Sequence, residues 1–279
     1  MEDPRGSFVT RSTIRQAYVR FGSSDSPVRL LVGRQLLNYG AQRLIGPLDW
    51  TNTSRTWDAV KLELGRAGAK VDVFASSVVN NQPERRLNQP TRGLNLHGIY
   101  GQFSGVAPRS VFEPYILWKT APLAAGELAA PGRSSIFTGG FRLASATAGP
   151  GLGAWDYQLE LAQQWGTSAG APHRAWAGYA IAGRTLPVRR LPLRASAEYS
   201  HASGDRNPRD GRTRTFDHLY GTNHLFYGLV DAVGWQNMRN IRIGADAKPR
   251  RTVQVALDYH WLWLDSPTDA LYDVAGKAI

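Results

Sequence analysis

Hydrophobic and polar residues alternate with a period of two along much of this chain. The clearest example is the segment TVQVALDYHWLWL, residues 252–264. Every second residue there is apolar or aromatic: Val253, Val255, Leu257, Tyr259, Trp261 and Trp263. The positions between them include Asp258 and His260. Because successive side chains of a β-strand point to opposite faces, the pattern predicts a strand whose two faces meet different surroundings.

Similar segments recur and predict about twelve strands, most of them near the ~10-residue length of a tilted membrane strand. The predicted strands are residues 12–21, 29–36, 56–64, 70–79, 94–103, 111–118, 135–143, 155–165, 174–182, 193–200, 239–247 and 252–263. Short connections rich in Gly, Pro and Ser alternate with longer ones, of which 37–55 and 201–238 are the longest. An up-and-down barrel in an outer membrane has this arrangement, because one rim needs only tight turns while the other carries functional loops.

The charged residues of the predicted strands indicate which face meets which solvent. In the four clearest strands the apolar positions carry no charge, and the alternate positions hold the ionisable side chains. A soluble barrel shows the same alternation with its apolar face inward, so the period alone leaves both folds open. Alanines on the apolar face and aromatic residues near strand ends, such as Trp155 and Trp165, favour a membrane barrel. We therefore expect an all-β fold, an antiparallel up-and-down transmembrane β-barrel that forms one domain over residues 1–279.

The composition agrees with a folded protein that meets an anionic partner. Of the 279 residues, 42% are hydrophobic and 10% are aromatic, which is too apolar for a disordered chain. The 33 Lys and Arg against 22 Asp and Glu give a net charge of +11, which suggests nucleic acid, lipid phosphate or an acidic polymer. The absence of Cys excludes disulfides and thiolate metal sites. No apolar run is long enough for a membrane-spanning helix, and the N-terminus lacks the features of a secretory signal.

Two stretches of the chain resemble the alginate-export family of outer-membrane barrels. The first is GRQLLNYGAQRLIGPLDWTNTSRTWDAVKL, residues 33–62, and the second is residues 202–272, which begin ASGDRNPRDGRTRTF. The resemblance implies a single antiparallel barrel of about eighteen strands. It also implies export of the acidic polysaccharide alginate through an arginine-lined constriction closed by inward-folded loops. A complete relative has a signal peptide and further strands, so the chain is expected to be a fragment of such a barrel, truncated at both ends.

The charged residues on the predicted lumen face are the candidate pore-lining residues. The bases are Arg20, Arg34, Lys61, Arg142, Arg194 and Arg242, and the acids are Glu63, Asp72, Glu113, Asp156, Glu160, Glu198, Asp246 and Asp258. Opposite charges on adjacent strands pair across the ladder, so most of these residues are expected to form structural salt bridges. Arg34 follows the glycine of the family-like GRQ motif and by analogy belongs to the constriction, with Arg242 as a second candidate. A bidentate pair between Arg34 and a neighbouring carboxylate is the alternative.

The predicted loops carry basic clusters and aromatic anchors. The basic clusters are Arg85, Arg86 and Arg92; Arg189, Arg190, Arg250 and Arg251; and Arg206, Arg209, Arg212 and Arg214. They are candidates to guide a polyanion toward the pore or to bind lipopolysaccharide phosphates, or they are simply solvated. The candidate loop anchors are Asp49, Trp50, His224, Tyr227, Trp235 and Gln236. The stretch SGDRNPRDG, residues 203–211, lacks the alternating oxygen ligands of a calcium loop and predicts a turn instead.

These features predict a passive channel in the outer membrane of a Gram-negative bacterium that passes alginate or its oligomers. A charged lumen gated by inward-folded loops would carry the cargo, with no catalytic residue, cofactor or metal. The expected partners are outer-membrane lipid, lipopolysaccharide and the anionic polysaccharide, with periplasmic export proteins as a further candidate. One alternative is a general or hydrocarbon-selective porin, because homologous barrels change cargo by altering loops. A more remote alternative is an outer-membrane hydrolase. Nucleic-acid binding is excluded because no strand face is uniformly basic.

Overall fold

The chain folds into one antiparallel sheet of twelve strands that follow one another in sequence order. The computed structural model describes residues 13–51, 53–82, 87–125, 131–145, 155–188, 191–228, 230–250 and 252–279. The strands are β1 (Ala17–Phe21), β2 (Val28–Gln35), β3 (Thr56–Arg66), β4 (Ala69–Asn80), β5 (Gln89–Ser104), β6 (Ser110–Ala124), β7 (Gly132–Ser145), β8 (Trp155–Ser168), β9 (Ala171–Val188), β10 (Leu191–Ala202), β11 (Met238–Arg250) and β12 (Val253–Leu264). The prediction of an all-β, up-and-down antiparallel architecture is confirmed.

Several strands extend beyond the segments in which hydrophobic and polar residues alternate. The strand β9 covers Ala171–Val188 rather than 174–182, and β5 begins at Gln89 rather than at residue 94. The ladder is held by backbone hydrogen bonds, so it continues where the side-chain pattern has stopped. Pro114, which lacks the N–H that a ladder needs, lies in β6 where the pairing with β5 is interrupted between Tyr100–Tyr115 and Phe103–Phe112.

The two faces of the sheet have opposite character. On the outer face the apolar side chains are exposed; Leu257 is 73% exposed and Ile243 is 54% exposed. On the inner face Asp156 and Glu160 are each only 4% exposed, although both are charged residues. Apolar side chains therefore point away from the interior and ionisable ones point into it. This polarity is typical of a membrane barrel and is the reverse of a soluble one.

The sheet is open rather than closed. The strand β1 pairs with β2, and β12 pairs with β11, but no pairing between β1 and β12 occurs among the described residues. The architecture is that of an incomplete β-barrel. Within the described ranges the one α-helix is α1 (His224–Tyr227), and no helix there has the length and hydropathy of a membrane span.

The connections divide the sheet into two ends. At one end, here named the turn side, β3 and β4 are joined by residues 67–68, and β5 and β6 by residues 105–109. At the other end, named the loop side, residues 36–55 form loop A and residues 203–237 form loop B. Both loops fold onto the inner face. The buried apolar cluster therefore includes residues from loop A, loop B and the strands, such as Leu37, Ile45, Phe216, Trp235, Trp57, Leu96 and Leu117.

Candidate functional site

The inner face near the turn side of β2, β3 and β4 carries a connected group of ion pairs. Glu63 accepts from Arg29 at 2.8 Å and from Lys61 at 2.9 Å. Asp72, on the adjacent strand, pairs with Lys70 at 3.1 Å. Register explains the proximity, because Arg29 lies opposite Glu63 and Glu63 lies opposite Asp72. Side chains directly opposite each other on neighbouring strands lie close enough to interact.

A second group of ion pairs continues across β6, β7 and β8. Arg142 forms an ion pair with Glu113, which lies opposite it on the adjacent strand. Its Nη2 donates to the Oε1 atom of Gln158 at 3.0 Å. Glu160, opposite Arg142 on its other side, accepts a hydrogen bond from the Tyr115 hydroxyl at 2.9 Å. These groups together line the inner face of the middle of the sheet.

The row of charges ends on β8 to β12. Arg194 forms a bidentate pair with Asp156, at 2.7 Å and 2.9 Å, and also reaches Asp246 at 3.2 Å. The guanidinium of Arg242 lies 3.2 Å from Glu198 and 2.8 Å from Asp258. The predicted lumen residues of these strands thus share one face and pair with one another. Their contact with a cargo remains a prediction.

Arg34 does not lie on this face. Register places it opposite Asp58, in line with Val32 and Val60, which are exposed on the outer face. Arg34 forms a bidentate pair with Asp58, at 2.7 Å and 3.0 Å, and donates to the carbonyl of Asn88 at 3.0 Å. The expectation of a lumen-facing Arg34 is therefore wrong. The adjacent apolar residues at positions 30–32 hide the parity of β2, which made its inner face hard to assign from sequence.

Arg20 lies on the inner face of β1, opposite the buried Leu31. It is exposed because β1 is an edge strand with a neighbour on one side only. No ion pair involves Arg20 within the described part of the chain. Among the predicted lumen-facing bases that lie on the inner face, Arg20 is therefore the most exposed to solvent.

A belt of tyrosines separates the charged half of the inner face from the loops. Tyr39 of loop A stacks on Tyr100 with ring centroids 4.5 Å apart, and Tyr100 stacks on Tyr115 at 5.6 Å. The Tyr39 hydroxyl donates to Asp72 at 3.0 Å. Each ring contributes apolar surface toward the loops while its hydroxyl faces the acids. The belt has no local signature in the sequence, because it joins Tyr39 of loop A to tyrosines of β5 and β6.

Loops A and B pair with each other above the belt. Residues Ile45 and Tyr220 form a parallel bridge. The Tyr220 amide donates to the Leu44 carbonyl at 2.9 Å, and the Gly46 amide donates to the Tyr220 carbonyl at 3.0 Å. The Thr222 amide donates to the Gln42 carbonyl at 2.8 Å. Backbone hydrogen bonds therefore join loop A, which follows β2, to loop B, which precedes β11.

Arg43 of loop A is a deeply buried charge. It is 2% exposed, forms an ion pair with Glu198 on β10, and donates from Nη1 to the Tyr227 hydroxyl at 2.9 Å. Its guanidinium carbon lies 3.9 Å from the ring centroid of Tyr179 and 4.0 Å from that of Phe226. A guanidinium suits such a site because it combines a planar donor fork with faces that stack on aromatic rings.

Loop B has a second polar attachment to the wall. Lys119 on β6 pairs with Asp217 at 2.7 Å. The Asp217 amide donates to Gln164 Oε1 at 2.9 Å, and Gln164 Nε2 donates to the Asp217 carbonyl at 2.7 Å. Burial alone would raise the pKa of Asp217, but the neighbouring Lys119 ammonium holds it below its usual value. Asp217 is therefore a carboxylate at neutral pH.

Two further groups of the loops carry altered proton affinities. Burial lowers the pKa of Arg55 to about 10, which leaves it charged at neutral pH. Burial lowers the pKa of His218 to about 4, so its imidazole is neutral at that pH. Its Nδ1 lies 2.6 Å from the Oε1 atom of Gln236, which requires the proton to be on Nδ1. A cavity of about 900 Å³ on the loop side is lined by Arg55, Lys119, Asp217 and His218.

The predicted loop anchors differ in how tightly they are held. Tyr227, Trp235 and Gln236 are buried. Trp50 stacks on His224 with ring centroids 4.3 Å apart, and His224 also lies 3.1 Å from Asp231. Asp49 departs from the expectation of a packed anchor, since its side chain is 57% exposed and pairs with the equally exposed Arg15. Polar residues at a rim are solvated unless a neighbouring segment covers them.

The basic loop clusters are only partly described. Arg85, Arg86, Arg189, Arg190 and Arg251 lie outside the described residues. Arg206, Arg209 and Arg212 are exposed, whereas Arg214 pairs with Asp205 and Asp210. Asp205 accepts from the amides of Asn207 and Arg214, at 2.8 Å and 3.0 Å, as in a side-chain-stabilised turn. The described residues contain no group of three or more potential metal ligands.

One nucleophile-like spacing lies in the sheet. Residues 166–170 read GTSAG, a Gly-x-Ser-x-Gly spacing. Its serine, Ser168, is the last residue of β8, and the chain then turns directly into β9. A nucleophile elbow instead places the serine between a strand and a helix. The nearby His173 is held between Thr213 at 2.7 Å and Gln164 at 3.2 Å. The spacing therefore occurs without the geometry of a catalytic serine.

The sequence model of a family described as Alginate export matches residues 3–279. The chain matches no curated protein.

Proposed function

The chain belongs to the alginate-export family, and from this premise we propose that its sheet is the wall of an outer-membrane channel for an anionic polysaccharide. Membership of this transport-type family supports an outer-membrane transport protein. The finer proposal is passive diffusion of alginate, or of its oligomers, through a charged lumen that inward-folded loops gate.

The segregation of the two faces is the observation that carries the proposal. The outer face exposes residues such as Ile243 and Leu257, which hydrocarbon tolerates. The inner face carries guanidinium and carboxylate groups at Arg142, Arg194 and Arg242 and their partners. Burying this many charged groups in a dry core would be unfavourable, whereas the same groups suit a water-filled passage.

The charged wall suits a carboxylate-bearing cargo. Arg142 and Arg194 each present a planar fork of donors to a carboxylate of the wall. A uronate carboxylate has the same geometry as these wall carboxylates and can exchange with them. Because acids and bases alternate along the wall, no single site holds the polymer tightly, which favours movement over retention.

The loops supply the closed state in this proposal. Loops A and B fill the inner face on the loop side, where Trp57, Phe216 and Trp235 are fully buried. A polymer chain cannot pass through packed side chains, so transport requires these loops to move away from the wall. The position of the loops supports gating on the loop side. The loops do not fill the turn side, where the charged groups line the inner face.

The partners follow from the surfaces. The outer face is expected to contact outer-membrane lipid, and the exposed Arg206, Arg209 and Arg212 on the loop side are placed to meet lipopolysaccharide phosphates. Periplasmic export proteins are expected to meet the turn side, where the cargo would enter. These partners belong to the proposal.

Single-channel recording of the purified protein in a planar bilayer tests the proposal. We expect anion selectivity and a current that polyuronate blocks but a neutral dextran of equal length does not. Arg242→Gln should weaken the block, whereas Arg15→Gln, which removes an equal charge from an exposed rim pair, should leave it unchanged.

Other results would support other functions. Indifference to both polymers would indicate a general porin, and cation selectivity would contradict recognition of the cargo by arginine. Hydrolysis of ester substrates by the detergent-solubilised protein would restore the enzyme alternative.

A further inference from the structure

We infer that loops A and B form one composite plug, and that Arg43 is the positioning residue that holds this plug on the wall through Glu198. The two loops then leave the inner face together rather than one at a time. The structural part of the inference concerns the loops alone, while its consequence for conductance rests on the proposed channel function.

The two loops are in close contact with each other. A Cβ on Gly221 of loop B would overlap the Arg43 carbonyl, and one on Gly46 of loop A would overlap the Thr222 hydroxyl. Arg55, at the end of loop A, donates to the Gly46 carbonyl at 3.2 Å and to the Gly221 carbonyl at 3.4 Å. Backbone, side-chain and packing contacts thus all cross the boundary between the loops.

Arg43 contacts all three parts of this arrangement. It belongs to loop A, its guanidinium packs against Phe226 and Tyr227 of loop B, and its ion-pair partner Glu198 belongs to the wall. Replacing the arginine therefore leaves the buried Glu198 with Arg242 as its remaining partner and removes an attachment that both loops share. A buried carboxylate that loses one of its two cationic partners is less stable. The exposed pair of Arg15 and Asp49 at the same rim provides a matched comparison, because it has the same charges without the burial.

Loop B can report its own release independently of loop A. The Asp217 amide donates to Gln164 on the wall, and the Phe216 amide donates to Ser203 at the base of loop B at 2.9 Å. Neither hydrogen bond involves loop A. The Tyr39 amide, which donates to Ile45 at 3.3 Å, reports loop A in the same way. Amide exchange at these positions therefore distinguishes joint from separate release.

Hydrogen exchange of the detergent-solubilised full chain tests the inference in both directions. In Arg43→Gln we expect exchange of the Tyr39, Phe216 and Asp217 amides to accelerate together by roughly tenfold or more. In Lys119→Gln, which weakens the wall attachment of loop B only, we expect the Tyr39 amide of loop A to accelerate as well. Arg15→Gln should change none of these rates. In either variant, acceleration in one loop without acceleration in the other would overturn the inference.

A cross-link separates release from misfolding. The chain has no native cysteine, so the bridge partners can be replaced as Ile45→Cys with Tyr220→Cys and then oxidised. A composite plug still opens when its loops are tied together, so Arg43→Gln should accelerate exchange equally in the reduced and oxidised forms. Loops that open separately would be slowed by the cross-link, which contradicts the inference. Unchanged exchange in the amides of β3 and β10 verifies that the wall is intact.

Conductance then separates this inference from the proposed function. If the protein is a channel, Arg43→Gln should increase its open time several-fold, and Arg43→Lys should restore part of the closure. Coupled exchange without any ion current would uphold the composite plug and contradict the channel. Ion current with uncoupled exchange would support the channel and contradict the composite plug.

Discussion

The turn-side and loop-side halves of the inner face are built from the same twelve strands but are held together by different forces. The turn side contains ion pairs between neighbouring strands, such as Arg194 with Asp156 and Arg29 with Glu63. The loop side contains aromatic and aliphatic residues of loops A and B packed against the wall, including Phe216 and Trp235. Polar contacts of the first kind tolerate water, whereas the apolar contacts of the second kind depend on excluding it. One half is therefore suited to a wet passage and the other to a closure.

The two halves also differ in how far apart in sequence their partners lie. Arg194 and Asp246 meet because β10 and β11 pair directly, with the residues opposite each other. Arg43 and Glu198 are 155 residues apart and belong to no common ladder. The charged half is thus determined by strand register, while the plug depends on where two long loops fold.

Loss of a buried aromatic residue should give the largest effect and affect the loop side alone. Trp235 is fully buried and packs against Phe216, with ring centroids 5.5 Å apart. Trp235→Ala should destabilise the packed loops by about 3–5 kcal/mol, because it leaves a large cavity. Limited proteolysis measures this as earlier cleavage in loop B. Trp261→Ala on the outer face is the control, since Trp261 is 45% exposed and lies opposite Ile241 on the face away from the loops. Equal protease sensitivity of the two variants would contradict the distinction between the halves.

Acid should loosen the loop side before it affects the charged half. The pKa of His218 is lowered by burial from 6.5 to about 4, so the folded loops bind its proton less readily than the unfolded chain does. Stability is therefore complete above pH 6.5 and falls as the pH decreases toward about 4, by about 3 kcal/mol in total. Asp217, whose pKa is held below its usual value beside Lys119, adds a further loss at pH values below this range.

Urea unfolding of the loops, followed by tryptophan fluorescence at several pH values, measures this dependence. In His218→Gln the part of the loss that begins near pH 6.5 should disappear, while the part that belongs to Asp217 remains. A variant with the same pH profile as the unsubstituted protein would show that His218 does not titrate in the loops.

Two arginine substitutions should have the smallest effects on stability and sharpen the assignment of the faces. Arg194→Gln leaves Asp156, which is nearly buried, with a weaker partner and should cost about 1–3 kcal/mol. Arg34→Gln removes a rim pair with Asp58 on the outer face and should cost about 0.5–1 kcal/mol. In bilayer recordings only Arg194→Gln should change ion selectivity, because only Arg194 lies on the inner face. A change in selectivity with Arg34→Gln would contradict the register of β2.

Most of the strands and the identity of the two faces follow from the sequence. Asp156, Glu160 and Arg242 lie on the predicted face because a period of two is a property of every β-strand, and hairpin neighbours then bring opposite charges together. Arg34 is the exception, because the adjacent apolar residues before it obscure which face of β2 it shares. The resemblance in residues 33–62 selected Arg34, which lies near the end of β2, rather than Arg43 of loop A.

The sequence alone determined the strands, their order and the separation of an apolar from a charged face, because those features depend on residues that are near neighbours in the chain or on adjacent strands. Only the tertiary structure decided that loops A and B fold onto the inner face, that Arg43 is enclosed by aromatic rings, and that Tyr39 completes the tyrosine belt. These contacts join segments far apart in sequence, so no local pattern of residues predicts them. The residues around Arg43 in the sequence do not indicate that it is buried or that its ion-pair partner lies 155 residues away.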